Sequence, residues 1–245
     1  MMERLGVEFE VEKTESKGYG YEEKYLKYRG ERIGYKAIVR DGEVLAIVKR
    51  GYKLIPHELV LQKLERLSDF VIDSVNTDKT RLYVQLKNPS SGSDIGVLVV
   101  NSVDGSLALK CFLTLAFGSA RIPIVRMHRN VKRVHKKNAK VDDLSDVVRA
   151  VFEGGREVKS YIDKILGLQA NDFKDVWETL AKMVPRKYVE RYVVALTVKK
   201  MTVREIFEGV SSAIYNSDID MRTKLTWLGV LYDCLWVIAE TAGVK

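Results

Sequence analysis

The spacing of apolar and polar residues predicts short strands in the first half of the chain and helices in the second. Apolar runs within residues 37–48 flank Asp41-Gly42, and an Asp-Gly pair between β-rich runs indicates a hairpin, because Gly accepts the positive φ of the turn. Residues 70–86 and 95–117 predict two further hairpins. Leucines at helical spacing after Pro56 predict one helix between the first two hairpins.

The first 24 residues give a weaker pattern. Val7, Phe9 and Val11 alternate with polar residues, which predicts a short strand. The remainder of this stretch is polar and contains glycine, so we interpret it as a mobile arm.

Beyond Pro123 the pattern becomes helical. Thr202 and Glu205 have the spacing of a capping box, and the last predicted helix runs over residues 221–242, ending at Gly243. The predicted fold class is therefore α+β, an antiparallel β-meander with a packed helix, followed by a helical C-terminal bundle. We expect an α+β domain over residues 1–140, with a basic segment at 121–140, and a helical domain over 141–245.

The composition predicts a globular protein in a reducing, cytoplasmic environment. Apolar residues make up 46% of the chain and aromatic residues 9%, as in globular proteins. Cys111 and Cys234 are far apart, so we expect a reducing, cytoplasmic setting and no disulfide scaffold. The N-terminus lacks an apolar signal, and Leu225–Ala239 is too short to span a bilayer. A charged fraction of 30% suits a thermophile.

Charge is unevenly distributed along the chain. Residues 105–141 contain nine bases and no acid, whereas the whole chain has a net charge of +8, so the other residues sum to −1. Such a segment predicts phosphate binding with little sequence preference. Within it, the candidate nucleic-acid-binding bases are Arg121, Arg126, Arg129, Lys132, Arg133, Lys136, Lys137 and Lys140. The alternative is a solvated face that lies near acids such as Asp142.

Tyrosines interleaved with bases are the second candidate feature. Six tyrosines lie among Lys and Arg within residues 19–52, and aromatic rings are the surfaces on which unpaired bases stack. Tyr21, Tyr25 and Tyr28 are the stacking candidates. The alternative is that these tyrosines occupy half-buried strand positions, which they also favour.

Three segments resemble the phage- and plasmid-like proteins grouped as domain-of-unknown-function family 932. They are YKAIVRDGEVLAIVKRGYKLIPHELV, with Asp41, Gly42, Tyr52 and Glu58; Asn101–Ser106 (NSVDGS); and Leu225–Asp233 (LTWLGVLYD). Val103 stands where the family has His, and residues 120–125 lack its Arg-x-Cys pattern. The resemblance implies a virus, plasmid or integrated element as the source, without an attached activity. The chain is also similar, more distantly, to single-strand-annealing recombination proteins.

Catalytic and metal chemistry have weaker support. His128 and His135 lack the i, i+4 spacing of a zinc helix. Asp41 and Asp104 precede glycines in predicted turns, so turn formation explains them. No P-loop or GxGxxG motif is present. We predict no cofactor, no metal and no catalytic residue.

The sequence therefore predicts a nucleic-acid-binding protein of a mobile genetic element. The expected partner is single-stranded DNA, the expected processes are replication or recombination, and the protein is expected to bind no membrane and to form a homo-oligomer. Two alternatives remain open, a structural or assembly protein of a virus or plasmid particle and a metal-dependent nuclease.

Overall fold

The fold of the chain is given by a computed structural model. It describes residues 9–91, 94–106, 109–117, 120–124 and 141–244. Two antiparallel sheets come first, and most helices follow in the C-terminal part. The predicted α+β class is confirmed, although the strands form two sheets where the sequence suggested one.

The strands form a four-stranded sheet, β1-β2-β3-β4, and a five-stranded sheet, β5-β6-β7-β8-β9. Their bounds are β1 Glu10–Gly18, β2 Tyr21–Tyr28, β3 Glu31–Arg40, β4 Glu43–Lys49, β5 Val71–Thr77, β6 Arg81–Lys87, β7 Ile95–Ser102, β8 Lys110–Phe117 and β9 Ala120–Pro123. The helices among the described residues are α1 His57–Glu65, α2 Leu144–Glu153, α3 Gly155–Leu166, α4 Lys174–Met183, α5 Arg186–Ala195, α6 Val203–Tyr215 and α7 Met221–Thr241.

The chain divides into two compact units. Among the described residues, the first takes in residues 9–86, 99–106, 109–110 and 141–147, and the second takes in residues 87–91, 94–98, 111–117, 120–124 and 148–244. The boundary predicted near residue 140 falls outside the described residues and stays a prediction.

The predicted turn at Asp41-Gly42 is confirmed. Asp41 and Gly42 adopt φ values of 50° and 80° and connect β3 to β4, as a two-residue hairpin turn requires. The predicted helix after Pro56 is α1, and the predicted capping box begins α6, where Thr202 accepts from the Glu205 amide. The last helix ends at Thr241, two residues before Gly243, which has φ 65°.

The mobile arm predicted for the first 24 residues is wrong for the described part of that stretch. β1 and β2 form a hairpin whose turn places Tyr19 and Gly20 at φ 53° and 77°. Alternation of apolar residues is weak here because charged residues occupy much of β1, and cross-strand ion pairs replace apolar contacts. Lys17, for example, lies 3.3 Å from the Glu23 carboxylate on β2. Opposite charges on neighbouring strands stabilise such pairs.

The inner face of the first sheet contains a core and a buried ion pair. Tyr21, Ile38, Val48 and Val103 form an apolar cluster. Beside it, the Lys36 ammonium lies 2.7 Å from the Glu23 carboxylate, and both side chains are at most 4% exposed. Lys36 also donates a 2.7 Å hydrogen bond to the Tyr52 carbonyl. A buried charge pair of this kind is tolerated because its polar atoms have partners.

In the second unit, aromatic rings join strands to helices. The Phe207 ring on α6 meets Phe117 at 4.9 Å and Tyr232 at 5.3 Å, both edge to face. Trp177 is fully buried and donates to the Ala170 carbonyl. At the start of α3, a Cβ on Gly155 would lie 2.6 Å from the Leu113 side chain, so a larger residue there would require Leu113 to shift. The packing explains the helical periodicity of the C-terminal half.

Removing one member of the buried pair should destabilise the protein. Lys36→Met leaves the Glu23 carboxylate buried without its main counter-charge, and we expect a loss of about 3 kcal/mol in the free energy of unfolding. Lys79→Met serves as a control, because the Lys79–Glu43 pair is mostly exposed and should cost less than about 1 kcal/mol. Urea denaturation measures both. Equal costs would show that the buried pair is not important for stability.

Candidate nucleic-acid interface

Most of the predicted phosphate track falls on residues that the structure does not describe. Arg126, Arg129, Lys132, Arg133, Lys136, Lys137 and Lys140 all lie outside the described residues, as do His128 and His135. Their role in phosphate binding stays a prediction. Arg121 is described: it lies in β9 opposite Ala116 and is half-buried.

The three tyrosines that the sequence singled out lie on two opposite faces of the first sheet. Successive residues of a strand point to opposite sides, so Tyr21 and Tyr25 share one face of β2, and Tyr28 lies on the other together with Leu26. The register agrees, since Tyr21 pairs with Arg40 and Tyr25 with Lys36. Grouping the three tyrosines as one stacking platform is therefore wrong.

Tyr21 is a core residue. Its side chain is 0% exposed, and its hydroxyl accepts a 3.0 Å hydrogen bond from Arg40. The Arg40 guanidinium also lies 4.8 Å from the centre of the ring, and burial raises the pKa of the Tyr21 hydroxyl. A base cannot stack on a ring that is enclosed in this way, so we remove Tyr21 from the candidate interface.

Tyr25 is half-buried and held by charged neighbours. Its hydroxyl donates to the Glu23 carboxylate over 3.1 Å. The Arg50 guanidinium and the Lys36 ammonium lie 4.9 Å and 5.6 Å from the ring centre. Burial is the main cause that raises the pKa of the Tyr25 hydroxyl. Because cations already cover the ring, Tyr25 serves to position the ion pair of the inner face.

The outer face of the first sheet is apolar and aromatic. Leu26, Ala37 and Val39 are buried there, and the face is open beside them. Six side chains line a groove of about 470 Å³ there: Phe9, Leu26, Tyr28, Ile33, Tyr35 and Ile47. Tyr28, Tyr35 and Ile47 are 36%, 47% and 45% exposed. The Phe9 and Tyr28 rings lie 6.0 Å apart at 52°. We call this feature the aromatic groove; its exposed rings are accessible to a ligand.

Bases border the aromatic groove. Cross-strand partners share a face, so Lys49, which pairs with Tyr35, projects on the same side as the groove. Lys24 pairs with Ala37, which in turn pairs with Ile47. The exposed Arg29 guanidinium lies 5.2 Å from the Tyr28 ring centre. The groove therefore combines flat apolar rings with positive charge at its edges.

Two carboxylates of this sheet, Glu12 and Glu22, are paired with bases. Glu12 on β1 makes ion pairs with Arg32 at 2.6 Å and with Arg50 at 3.1 Å. Glu22 lies 3.5 Å from Lys24. Paired carboxylates repel an approaching anion less than free ones, because the partner cation offsets their charge.

Residues of the first two resembling segments make contacts with one another in the first unit, whereas the third segment, Leu225–Asp233, lies in α7 of the second unit. Glu58 makes a 2.7 Å ion pair with Arg40, and the Asn101 amide donates to the Ile55 carbonyl and contacts the His57 Nδ1 atom, both over 3.0 Å. The Tyr52 hydroxyl donates to the Ser102 carbonyl over 2.8 Å. Burial lowers the pKa of His57. These contacts join α1 to β7 and explain the motif residues structurally.

No group of three or more His, Cys, Asp and Glu within the described ranges could hold a metal ion. In the same part of the chain, no helix is long and apolar enough to cross a membrane. The chain matches no model of a known protein family, no curated protein and no solved structure. Function must therefore be inferred from the surfaces of the molecule itself.

Two tyrosine substitutions separate core from surface. We expect Tyr21→Ala to lower the free energy of unfolding by about 3–5 kcal/mol, because it empties a fully buried site. Tyr35→Ala should change it by less than about 1 kcal/mol, since that ring is largely exposed. Chemical denaturation of both variants tests the assignment. A large loss for Tyr35→Ala would mean that the groove is part of the core.

Proposed function

We propose that this protein binds nucleic acid and prefers single strands, with unpaired bases stacked in the aromatic groove. One observation carries the proposal: the outer face of the first sheet exposes aromatic rings at a groove bordered by bases. Single-strand-binding surfaces combine these two features, because every base has a π-face and every nucleotide carries a phosphate.

Exposure of this apolar face needs an explanation. Contiguous apolar surface is rare on proteins without a partner and marks interaction sites. An unpaired base is a suitable occupant, because it is flat and apolar on its faces and joined to a charged backbone. A duplex keeps its bases stacked inside, so it offers the groove no ring to contact. The geometry therefore favours single strands over duplexes.

The size of the groove limits the number of nucleobases that can stack in it. Neighbouring strands lie about 4.8 Å apart, and four-stranded sheets that bind RNA through aromatic rings stack about two or three bases. The groove alone would therefore give weak binding. The basic segment of residues 121–140 supplies the rest of the affinity in this proposal by binding phosphates, which gives strong salt dependence.

The biological role follows from the resemblance to phage- and plasmid-like and single-strand-annealing proteins. We propose that the protein acts in the cytoplasm, in replication or recombination of a mobile genetic element, and that it binds its strand as a homo-oligomer without catalysis. Assembly into a virus or plasmid particle remains the alternative. A particle protein that packages nucleic acid non-specifically would not distinguish single strands from duplexes.

Removing the exposed rings should weaken single-strand binding. We expect Tyr28→Ala/Tyr35→Ala to lose about tenfold or more in affinity for a labelled single-stranded oligonucleotide, because each stacked base contributes about 1–3 kcal/mol. Binding of the matching duplex should change little. Fluorescence anisotropy measures both affinities.

Two variants control this experiment. Tyr28→Phe/Tyr35→Phe keeps the rings and should retain single-strand binding. Val71→Ala/Val75→Ala removes exposed apolar side chains from β5, in the other sheet, and should also bind normally. Equal single-strand affinity of the Tyr→Ala variant and the wild-type protein would refute the role of the groove.

The basic segment has its own test. Arg129→Ala/Arg133→Ala/Lys136→Ala/Lys137→Ala should reduce the slope of log affinity against log salt by about 0.7 for each phosphate of a single strand that the variant no longer binds. A matched variant, Lys79→Ala/Lys164→Ala/Lys174→Ala/Arg222→Ala, removes the same charge elsewhere and should leave the slope nearly unchanged. If both variants shift the slope equally, net charge and not the basic segment determines binding.

A further inference from the structure

A second concentration of basic residues lies around α5 in the second unit, which is called the helical unit below. Six bases and a single acid, Glu190, lie within residues 182–200. We call the six bases the α5 basic surface: Lys182, Arg186, Lys187, Arg191, Lys199 and Lys200. All six are exposed. The whole-chain charge conceals this surface, because acids elsewhere in the same unit cancel it in the total.

None of these six bases makes an ion pair with a carboxylate among the residues that the structure describes. Bases elsewhere in the helical unit differ. Lys159 makes a 2.6 Å ion pair with Asp163, Arg204 lies 2.9 Å from the same carboxylate, and Lys174 lies 3.7 Å from Glu178. Positive charge that carries no counter-charge is available to an external anion.

Three of the six bases, Arg186, Lys187 and Arg191, lie on α5 itself, and their side chains are exposed. Tyr188 and Val189 are buried and attach α5 to its unit. The Lys187 ammonium lies 4.9 Å from the Tyr188 ring centre. The Arg191 guanidinium lies 4.7 Å from the Tyr192 ring centre and donates to the Tyr192 hydroxyl over 2.6 Å. Side chains restrained in this way lose less conformational freedom when they bind.

The start of α5 also favours an anion. The helix begins after Pro185 with no side-chain cap and no acidic residue in its first turn, and Arg186 and Lys187 occupy that turn. Positive side chains at a helix N-terminus are disfavoured by the macrodipole. A bound anion would reverse this effect, because it interacts favourably with both the bases and the free amides.

We propose that the α5 basic surface binds the phosphate backbone of nucleic acid, as a second contact surface independent of the aromatic groove. The ligand class is the same as in the proposed function, but this surface is a different one and contacts only phosphates, not nucleobases. It therefore should bind single strands and duplexes alike. An anionic membrane is the other polyanion to consider. Nucleic acid is favoured because the exposed apolar residues here are valines and one methionine (Met183, Val194 and Val198), whereas membrane-bound helices insert larger aromatic and leucine side chains.

The test compares two variants with the same loss of charge in the full-length protein. Arg186→Gln/Lys187→Gln/Arg191→Gln removes three bases of the α5 basic surface, and Lys164→Gln/Lys174→Gln/Arg222→Gln removes three exposed bases elsewhere in the helical unit. Anisotropy with labelled duplex DNA is measured across a salt series. We expect the first variant to bind several-fold more weakly, with a salt slope shallower by about 0.9 for each phosphate that it no longer binds, and the control to resemble the wild-type protein.

The outcomes separate this inference from the proposed function. If the two variants bind duplex equally while Tyr28→Ala/Tyr35→Ala weakens single-strand binding, the proposal for the α5 basic surface is refuted and the proposal for the aromatic groove is kept. If only the first variant is impaired, the α5 surface stands whether or not the groove does. Binding of the wild-type protein to anionic lipid vesicles but not to DNA, abolished by the α5 substitutions, would overturn the choice of nucleic acid.

Discussion

The buried ion pair between Glu23 and Lys36 determines which face of the first sheet points inward. Both charges require a partner away from water, and they find it in each other and in the Tyr52 carbonyl. A slip of one residue in strand pairing would turn every side chain to the opposite face. It would then expose Tyr21, bury Lys24 and leave Lys36 without its partner Glu23. The ion pair therefore opposes the wrong register and keeps Tyr28 and Tyr35 on the open side.

Each face of the first sheet has its own apolar cluster. The inner face buries Tyr21, Ile38, Val48 and Val103, and the outer face buries Leu26, Ala37 and Val39 beside the exposed rings. Its rings remain exposed, and its border carries Lys24, Arg29 and Lys49. Proteins normally limit exposed apolar surface because it promotes association. Positive charge around the groove reduces such self-association, since two copies of the face repel each other.

Local signals in the sequence predicted the elements whose cause is local. Asp41-Gly42, the run after Pro56 and the Thr202–Glu205 capping box each depend on neighbouring residues, and the structure confirms all three. The β1–β2 hairpin was missed because its strands are stabilised by ion pairs between residues such as Lys17 and Glu23. Periodicity of apolar residues does not record such contacts. The alternation of side chains along a strand is enough to divide Tyr21, Tyr25 and Tyr28 between two faces. The sequence prediction grouped them because it used only their composition, tyrosines interleaved with bases.

Charge illustrates the same limit. A segment free of acids, such as residues 105–141, is visible in the sequence, whereas the availability of a base depends on its partners in space. Lys159, Arg204 and Arg191 look alike in a count, yet two make ion pairs with Asp163, and Arg191 contacts only a tyrosine ring and hydroxyl among the described residues. Unpaired bases repel one another and lower the stability of the folded state. In the proposal for the α5 basic surface, a bound anion offsets this repulsion.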